Sequence, residues 1–204
     1  MRETPARVVV LASGTGSLLQ SLVAASVAPG YPARIVGVGV DRECDAAHHA
    51  DDAAIPHVRI CLRDFPDRSA WDAALTDAVL GFEPDLIVTA GFMKILGPRF
   101  LDAFSGRIVN THPALLPSFP GAHAVRDALD HGVKLTGSTV HLVDSGVDTG
   151  PILAQEAVPV LDGDDEAALH ERIKTVERRL LVDVIAAVAT TGVTSDGRKA
   201  QIIR

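Results

Sequence analysis

Four apolar residues in a row, Val8-Val9-Val10-Leu11, stop abruptly at Ser13-Gly14-Thr15-Gly16-Ser17. A strand with one wet face alternates, so a run with no polar member suits a strand covered on both faces, as in a parallel sheet. A helix then begins, with Leu18, Leu19, Leu22, Val23 and Val27 on its inner side and Ser17 at or near its cap. Strand, glycine turn and helix bring unpaired amides and a helix dipole to one spot, which makes a ready anion site. Two familiar loops fail to match: a dinucleotide fingerprint wants a small residue where Leu19 stands, and a triphosphate loop wants a Gly-Lys-Ser/Thr that is missing. A single phosphate held by backbone amides and the Ser17 hydroxyl fits, with a tight turn that binds nothing as the competing account.

The same alternation continues. Strands are expected at Ala33 to Val40, His57 to Ile60, Asp85 to Ala90 and Arg107 to Val109, with helices from Asp45 to Ala53 and from about Ser69 to Gly81. This predicts an α/β fold, a Rossmann-like doubly wound and mostly parallel sheet with ligands at the carboxyl ends of its strands. Beyond about residue 110 the pattern changes. A helix at about His123 to His131 precedes Thr136 to Val143, whose alternation suits a strand with one exposed face, and a further strand at Ile152 to Val160. Asp164-Asp165-Glu166 opens the longest helix, with Leu169, Ile173, Val176, Leu180, Leu181, Val184 and Val188 as its buried stripe; Val193 to Ile203 reads as a closing hairpin. The expectation is one domain over residues 1–204, a phosphate-binding half to about residue 110 and an antiparallel-extended half after it.

Between the halves stands Ile108-Val109-Asn110-Thr111-His112-Pro113, followed by a stiff segment to Gly121 that holds Pro117 and Pro120. Asn110 and His112 are two residues apart, so strand alternation aims both to one side, where they can meet one small polar group. Asn110 is also the only asparagine in 204 residues, in a chain that fills its turns with Gly, Pro, Asp and Ser. That favours a functional amide over a satisfied loop amide. The glycine-bounded loop Asp144-Ser145-Gly146-Val147-Asp148-Thr149-Gly150 offers a carboxylate, Asp144 or Asp148, that could orient the imidazole of His112. The segment Gly91 to Gly97 could line a slot for a flat heterocycle, with core packing as the alternative.

Composition narrows the partners. A net charge of -7 with no basic stripe argues against a nucleic-acid surface, and no run of about 18 apolar residues is present to span a membrane. Cys44 and Cys61 do not resemble a disulfide framework, which suits a cytoplasmic protein. His48 and His49 beside Asp51 and Asp52 have no second ligand pair at a recognised spacing, so no metal is expected.

Taken together in this order, Ser13 to Ser17, Ala90 to Leu96, Asn110 to Pro117 and Asp148 to Pro151 resemble the formyltransferases that use 10-formyltetrahydrofolate, over nearly the whole chain. The first loop and the length resemble those members that formylate glycinamide ribonucleotide in purine biosynthesis. The resemblance implies direct attack of the glycinamide amine on the formyl carbon, with Asn110, His112 and Asp148 as catalytic residues. It also implies a ribonucleotide site at Gly16, Ser17, Leu18, Lys174 and Glu177, although Lys174 and Glu177 taken alone read as a surface ion pair. The implied folate site is Arg68, Met93, Lys94, Ile95, Leu96 and Asn110, with Val143, Asp144, Ser145, Gly146 and Val147. Leu18 departs from the polar residue common in the family, and Lys94 from a frequent arginine. The resemblance implies an added N-terminal regulatory domain for hydrolase relatives and an added C-terminal RNA-binding domain for methionyl-tRNA formyltransferases, and neither is expected to fit in this chain. The rival from another class is a non-catalytic nucleotide-binding α/β module, which would need the first loop but not Asn110, His112 and Asp148 together; a homodimer is the expected assembly. The Leu116-Pro117 bond is expected to be cis.

Overall fold

The computed structural model describes residues 5–203, so residues 1–4 and 204, the two ends of the expected domain, lie outside it. Strand β1 (Ala6–Ala12) is followed by α1 (Ser17–Ser26), β2 (Ala33–Val40), α2 (Asp45–Asp52), β3 (His57–Arg59), α3 (Arg68–Leu80), β4 (Leu86–Thr89), α4 (Pro98–Ala103) and β5 (Ile108–His112). The chain continues through α5 (Ala124–Asp130), β6 (Leu135–Leu142), β7 (Ile152–Pro159), α6 (Glu166–Thr191), β8 (Val193–Asp196) and β9 (Lys199–Ile202). All nine strands form one sheet in the order β3-β2-β1-β4-β5-β6-β7-β9-β8. The first five run parallel, and β6 and β7 add to β5 antiparallel, as the change of pattern near residue 110 predicts.

The apolar run of β1 works as expected of a strand covered on both faces. Val8 and Val10 pack with α1, α2 and α6, while Val9 and Leu11 pack with Trp71, Leu75, Phe100 and Phe104 from α3 and α4. Burial of alternate residues on opposite sides removes apolar area from water on both faces, at roughly 25 cal/mol per Å². One inner residue expected in α1 is misplaced: Val27 follows the helix and is 78% exposed.

Two differences from expectation bear on the site. Strand β5 extends to His112, so Asn110 and His112 lie within it, opposite His141 and Thr139 of β6. Strand β6 has no exposed face; from Thr136 to Leu142 every residue is buried. Thr139 turns to internal partners: its hydroxyl accepts from Leu116 N (3.0 Å) and donates to Ala114 O (2.7 Å). The proline-rich segment is therefore bonded onto the sheet, with Leu116-Pro117 cis as expected. No helix of the described residues is long and apolar enough to cross a membrane.

Gly137 makes this closeness possible, because a Cβ there would lie 2.1 Å from Glu156 O and 2.7 Å from a Leu115 methyl. Gly137→Ala is expected to cost about 1–3 kcal/mol by overpacking, a fall in Tm of roughly 2–12 °C at this chain length. Thermal unfolding at the parent's Tm would contradict this account of β6.

Candidate active site

The strand order turns around between β1 and β4, so the loops that follow these two strands diverge and leave a crevice at their carboxyl ends. A cavity of about 570 Å³ opens there, lined also by β5, by one face of α6 and by the loop after β6. That volume suits a small-molecule site.

One end of the cavity is the start of α1. Gly16, at φ 70°, is the cap residue, and it supplies no side-chain cap to the first helical amides. Ser17 is thus the first helical residue and not the cap. A Cβ on Gly16 would lie 2.9 Å from the Ala46 backbone, so α2 packs directly behind the loop. Ala46 N donates to Gly14 O (3.2 Å), and the His49 ring meets Thr15 O at 3.1 Å. His49 thus braces the loop, and among the described residues no group of His, Cys, Asp and Glu side chains is placed to hold a metal ion.

Across from this loop, α6 presents His170, Lys174 and Glu177 to the cavity, at i, i+4 and i+7. Glu177 is not in a surface ion pair: it is 4% exposed, and the Thr111 hydroxyl donates to its Oε1 (2.9 Å). Burial pushes its carboxyl above the usual range despite that bond and the nearby Lys174 and Arg178. Lys174 lies 3.9 Å from Glu171 instead. His170 escaped the sequence analysis; its i-4 relation to Lys174 was the available signal.

The middle of the cavity is a polar cluster. Thr89 Oγ1 donates to Asn110 Oδ1 (2.6 Å), and Asn110 Nδ2 lies 3.1 Å from His141 Nε2. His141 Nδ1 donates to Leu142 O (2.8 Å), and its Nε2 faces both Asn110 and Asp148. One hydrogen of the Asn110 amide remains for a ligand oxygen. His112, 4% exposed, donates from Nε2 to Phe119 O (2.8 Å) and turns Nδ1 toward Asp148 Oδ2 at 3.4 Å. Asp148 Oδ1 lies 3.6 Å from His141 Nε2, and Oδ2 accepts from Gly121 N (2.8 Å).

The carboxylate thus sits between two imidazoles. Burial works against its charge, but His141, the Gly121 amide and His112 outweigh that and lower its pKa. Asp148 adopts φ 55°, a left-handed conformation that is unusual outside glycine and clusters at functional sites. Of the two acidic candidates, Asp144 folds its own loop, accepting from Gly146 N (3.0 Å) and the Thr149 hydroxyl (2.7 Å). His141 escaped the sequence analysis, because a lone histidine in an alternating strand looks solvent-facing.

At the other end, Met93, Ile95 and Val147 line the cavity while being 60%, 64% and 51% exposed. Leu96 and Val143 complete an apolar slot. One expected slot residue acts from behind: Arg68 does not line the cavity and donates to Ile95 O (2.7 Å). Lys94 lines the cavity, with its ammonium 3.0 Å from Asp41. Ser145 also lies outside the lining, whereas Gly16, Ser17, Leu18, Asp144 and Gly146 are part of it.

The model of the formyl transferase family matches residues 6–185. The chain belongs to the formyl transferase family. This formyltransferase is 66% identical over 200 residues to phosphoribosylglycinamide formyltransferase of Mycobacterium tuberculosis (strain CDC 1551 / Oshkosh), covering 98% of this chain and 93% of that one. Its fold is similar to that of glycinamide ribonucleotide transformylase 1 from Symbiobacterium toebii, with a TM-score of 0.96, 38% identity, and coverage of 100% and 96% of the two chains. A formyltetrahydrofolate deformylase from Pseudomonas syringae pv. tomato is similar at a TM-score of 0.91 and 27% identity, covering 99% of this formyltransferase and 67% of the deformylase.

The raised pKa of Glu177 has a consequence for stability. An acid that holds its proton more tightly when folded costs stability as pH rises from the unfolded value through the folded one. Glu177→Gln is therefore expected to raise Tm more at pH 8 than at pH 4, read by calorimetry without ligand; an equal or opposite change would contradict the burial argument.

Proposed function

We propose that this formyltransferase moves the formyl group of 10-formyltetrahydrofolate to the amine of 5'-phosphoribosylglycinamide, a step of purine biosynthesis, in the cytoplasm. The observation that carries this reading is the convergence of Asn110, His112 and Asp148 midway between the open amides of α1 and the apolar slot after β4. The ribonucleotide phosphate would lie at Gly16, Ser17 and Leu18, and the sugar and glycinamide along Lys174 and Glu177. The pterin would lie in the slot, against Met93, Ile95, Leu96 and Val143. The relatives' names support this reading in two parts: the transferases carry the glycinamide ribonucleotide in theirs, and the deformylase carries formyltetrahydrofolate.

Attack of the neutral amine on the formyl carbon forms one C–N bond and moves a pair of electrons onto oxygen. The free Asn110 amide hydrogen and the His112 Nε2 hydrogen stabilise that charge, each worth roughly 10²–10³ in turnover. For His112 to do this, the substrate replaces Phe119 O as its partner. The carbon–nitrogen bond to folate N10 then breaks; N10 takes a proton from His112, and the proton released by the amine returns through Asp148. Asp148 is kept ionised by its neighbours, so an acceptor for that proton is in place before the amine attacks. The steps as written call on no metal, redox group or covalent nucleophile.

The likeness to the deformylase favours a second reading, in which water replaces the amine. Folate release measured with and without glycinamide ribonucleotide separates the two: the transferase requires the ribonucleotide, and release at the same rate in its absence overturns the transfer reading.

His112→Ala and Asp148→Asn are expected to lower kcat by about 10²-fold or more, with ribonucleotide affinity within about threefold of the parent. Values of kcat within about threefold of the parent, under 1 kcal/mol, would remove both residues from the chemistry. Ser17→Ala should do the reverse, weakening ribonucleotide binding in a calorimetric titration while sparing kcat.

A further inference from the structure

Asp41 follows the last residue of β2, at the carboxyl edge of the sheet, and its side chain is 1% exposed. In doubly wound folds that bind dinucleotides, an acidic residue in this place reads a ribose hydroxyl. Here the acceptor sites are taken from within. Arg42 reaches Asp41 at 2.8 and 3.1 Å, Lys94 at 3.0 Å, and the Ser13 hydroxyl also bonds to it.

These partners come from both walls of the crevice. Ser13 belongs to the loop after β1, at the phosphate end, and Lys94 to the loop after β4, at the apolar end. Ser13 ties the same two loops a second and a third time: its Oγ accepts from Met93 N (2.8 Å), and its amide donates to Gly91 O (3.2 Å). Lys94 stands between Met93 and Ile95 and lines the slot with them, but its ammonium is already held by Asp41 at 3.0 Å. A ligand that met this ammonium would first have to break a charge-assisted bond to a buried carboxylate.

We infer that Asp41 is a positioning residue for folate: through Lys94 and Ser13 it fixes the loop after β4 against the phosphate-binding loop, and Lys94 serves the folate by this strut and not by contact with it. The inference rests on the proposed folate site and changes the part assigned to Lys94. A direct ligand and a strut differ in what happens when Asp41 is neutralised. A Lys94 that touches folate keeps its charge, and is freed, in Asp41→Asn; a strut is lost in either variant, and losing both ends costs no more than losing one.

The test is a calorimetric titration of tetrahydrofolate into the parent, Asp41→Asn, Lys94→Met, the double variant and Lys94→Arg. Each single variant is expected to weaken binding by roughly tenfold, the scale for contacting residues, and the double variant by no more than either. Lys94→Arg, which still reaches Asp41, should stay within about threefold of the parent. Weakening in Lys94→Met with parental binding in Asp41→Asn would make Lys94 a direct ligand and overturn the inference, as would fully additive losses or no loss. Ser13→Ala, which cuts the second link, must also weaken tetrahydrofolate, and decides the matter if Asp41→Asn does not fold. A parent that binds no tetrahydrofolate defeats the folate reading itself, whereas a parent that binds and variants that bind equally well defeat only the strut.

Discussion

A single carboxylate placed between two buried imidazoles organises this molecule. Asp148 reaches that position only because its loop doubles back tightly on the end of β6: a Cβ on Gly150 would lie 1.8 Å from Leu142 O. Asp144 closes the turn from the other side through its bonds to Gly146 and Thr149. The left-handed backbone at Asp148 and the desolvation of its charge both cost free energy, of the kind that persists only where surrounding contacts outweigh it. Here the Gly121 amide, His141 and His112 supply those contacts.

That arrangement depends in turn on where the sheet changes character. Strand β5 ends the run of five parallel strands and is the first partner of an antiparallel one, so Asn110 faces His141 directly across the pair. The crevice between β1 and β4 is a product of the parallel half alone, and the imidazole-flanked carboxylate needs the antiparallel extension. Substrate ends and reacting centre therefore come from different halves of the chain and meet on one side of one sheet. The two loops that bound the crevice are not left independent, since Ser13, Asp41 and Lys94 bond them together.

The parallel half was legible because strands buried on both faces leave apolar runs that nothing else in the chain imitates. Asn110 and His112 were legible for a related reason, a polar pair at strand spacing where an apolar run ends. Strand β6 was misread because its threonines, serine and histidine look like a wet face, whereas all are buried: Thr139 bonds the proline-rich segment, Ser138 meets Thr111, and His141 meets Asn110 and Asp148. Glu177 looked like a surface charge because helical periodicity places it beside the apolar stripe and says nothing of a cavity there. The roles of Arg68 and Lys94 were beyond sequence reasoning: their partners, Ile95 O and Asp41, become neighbours only when the loops close on each other. The family resemblance named these positions without telling which touch the cavity and which act from behind.

The electrostatic core of this account can be measured without substrate. Carbon-13 titration of the Asp148 side chain, assigned by loss of its signal in Asp148→Asn, should give a midpoint below the ordinary aspartate value of 3.8, moving upward in His141→Ala. A midpoint at or above that value, indifferent to the loss of His141, would contradict the claim that the two imidazoles hold this carboxylate in its charged form.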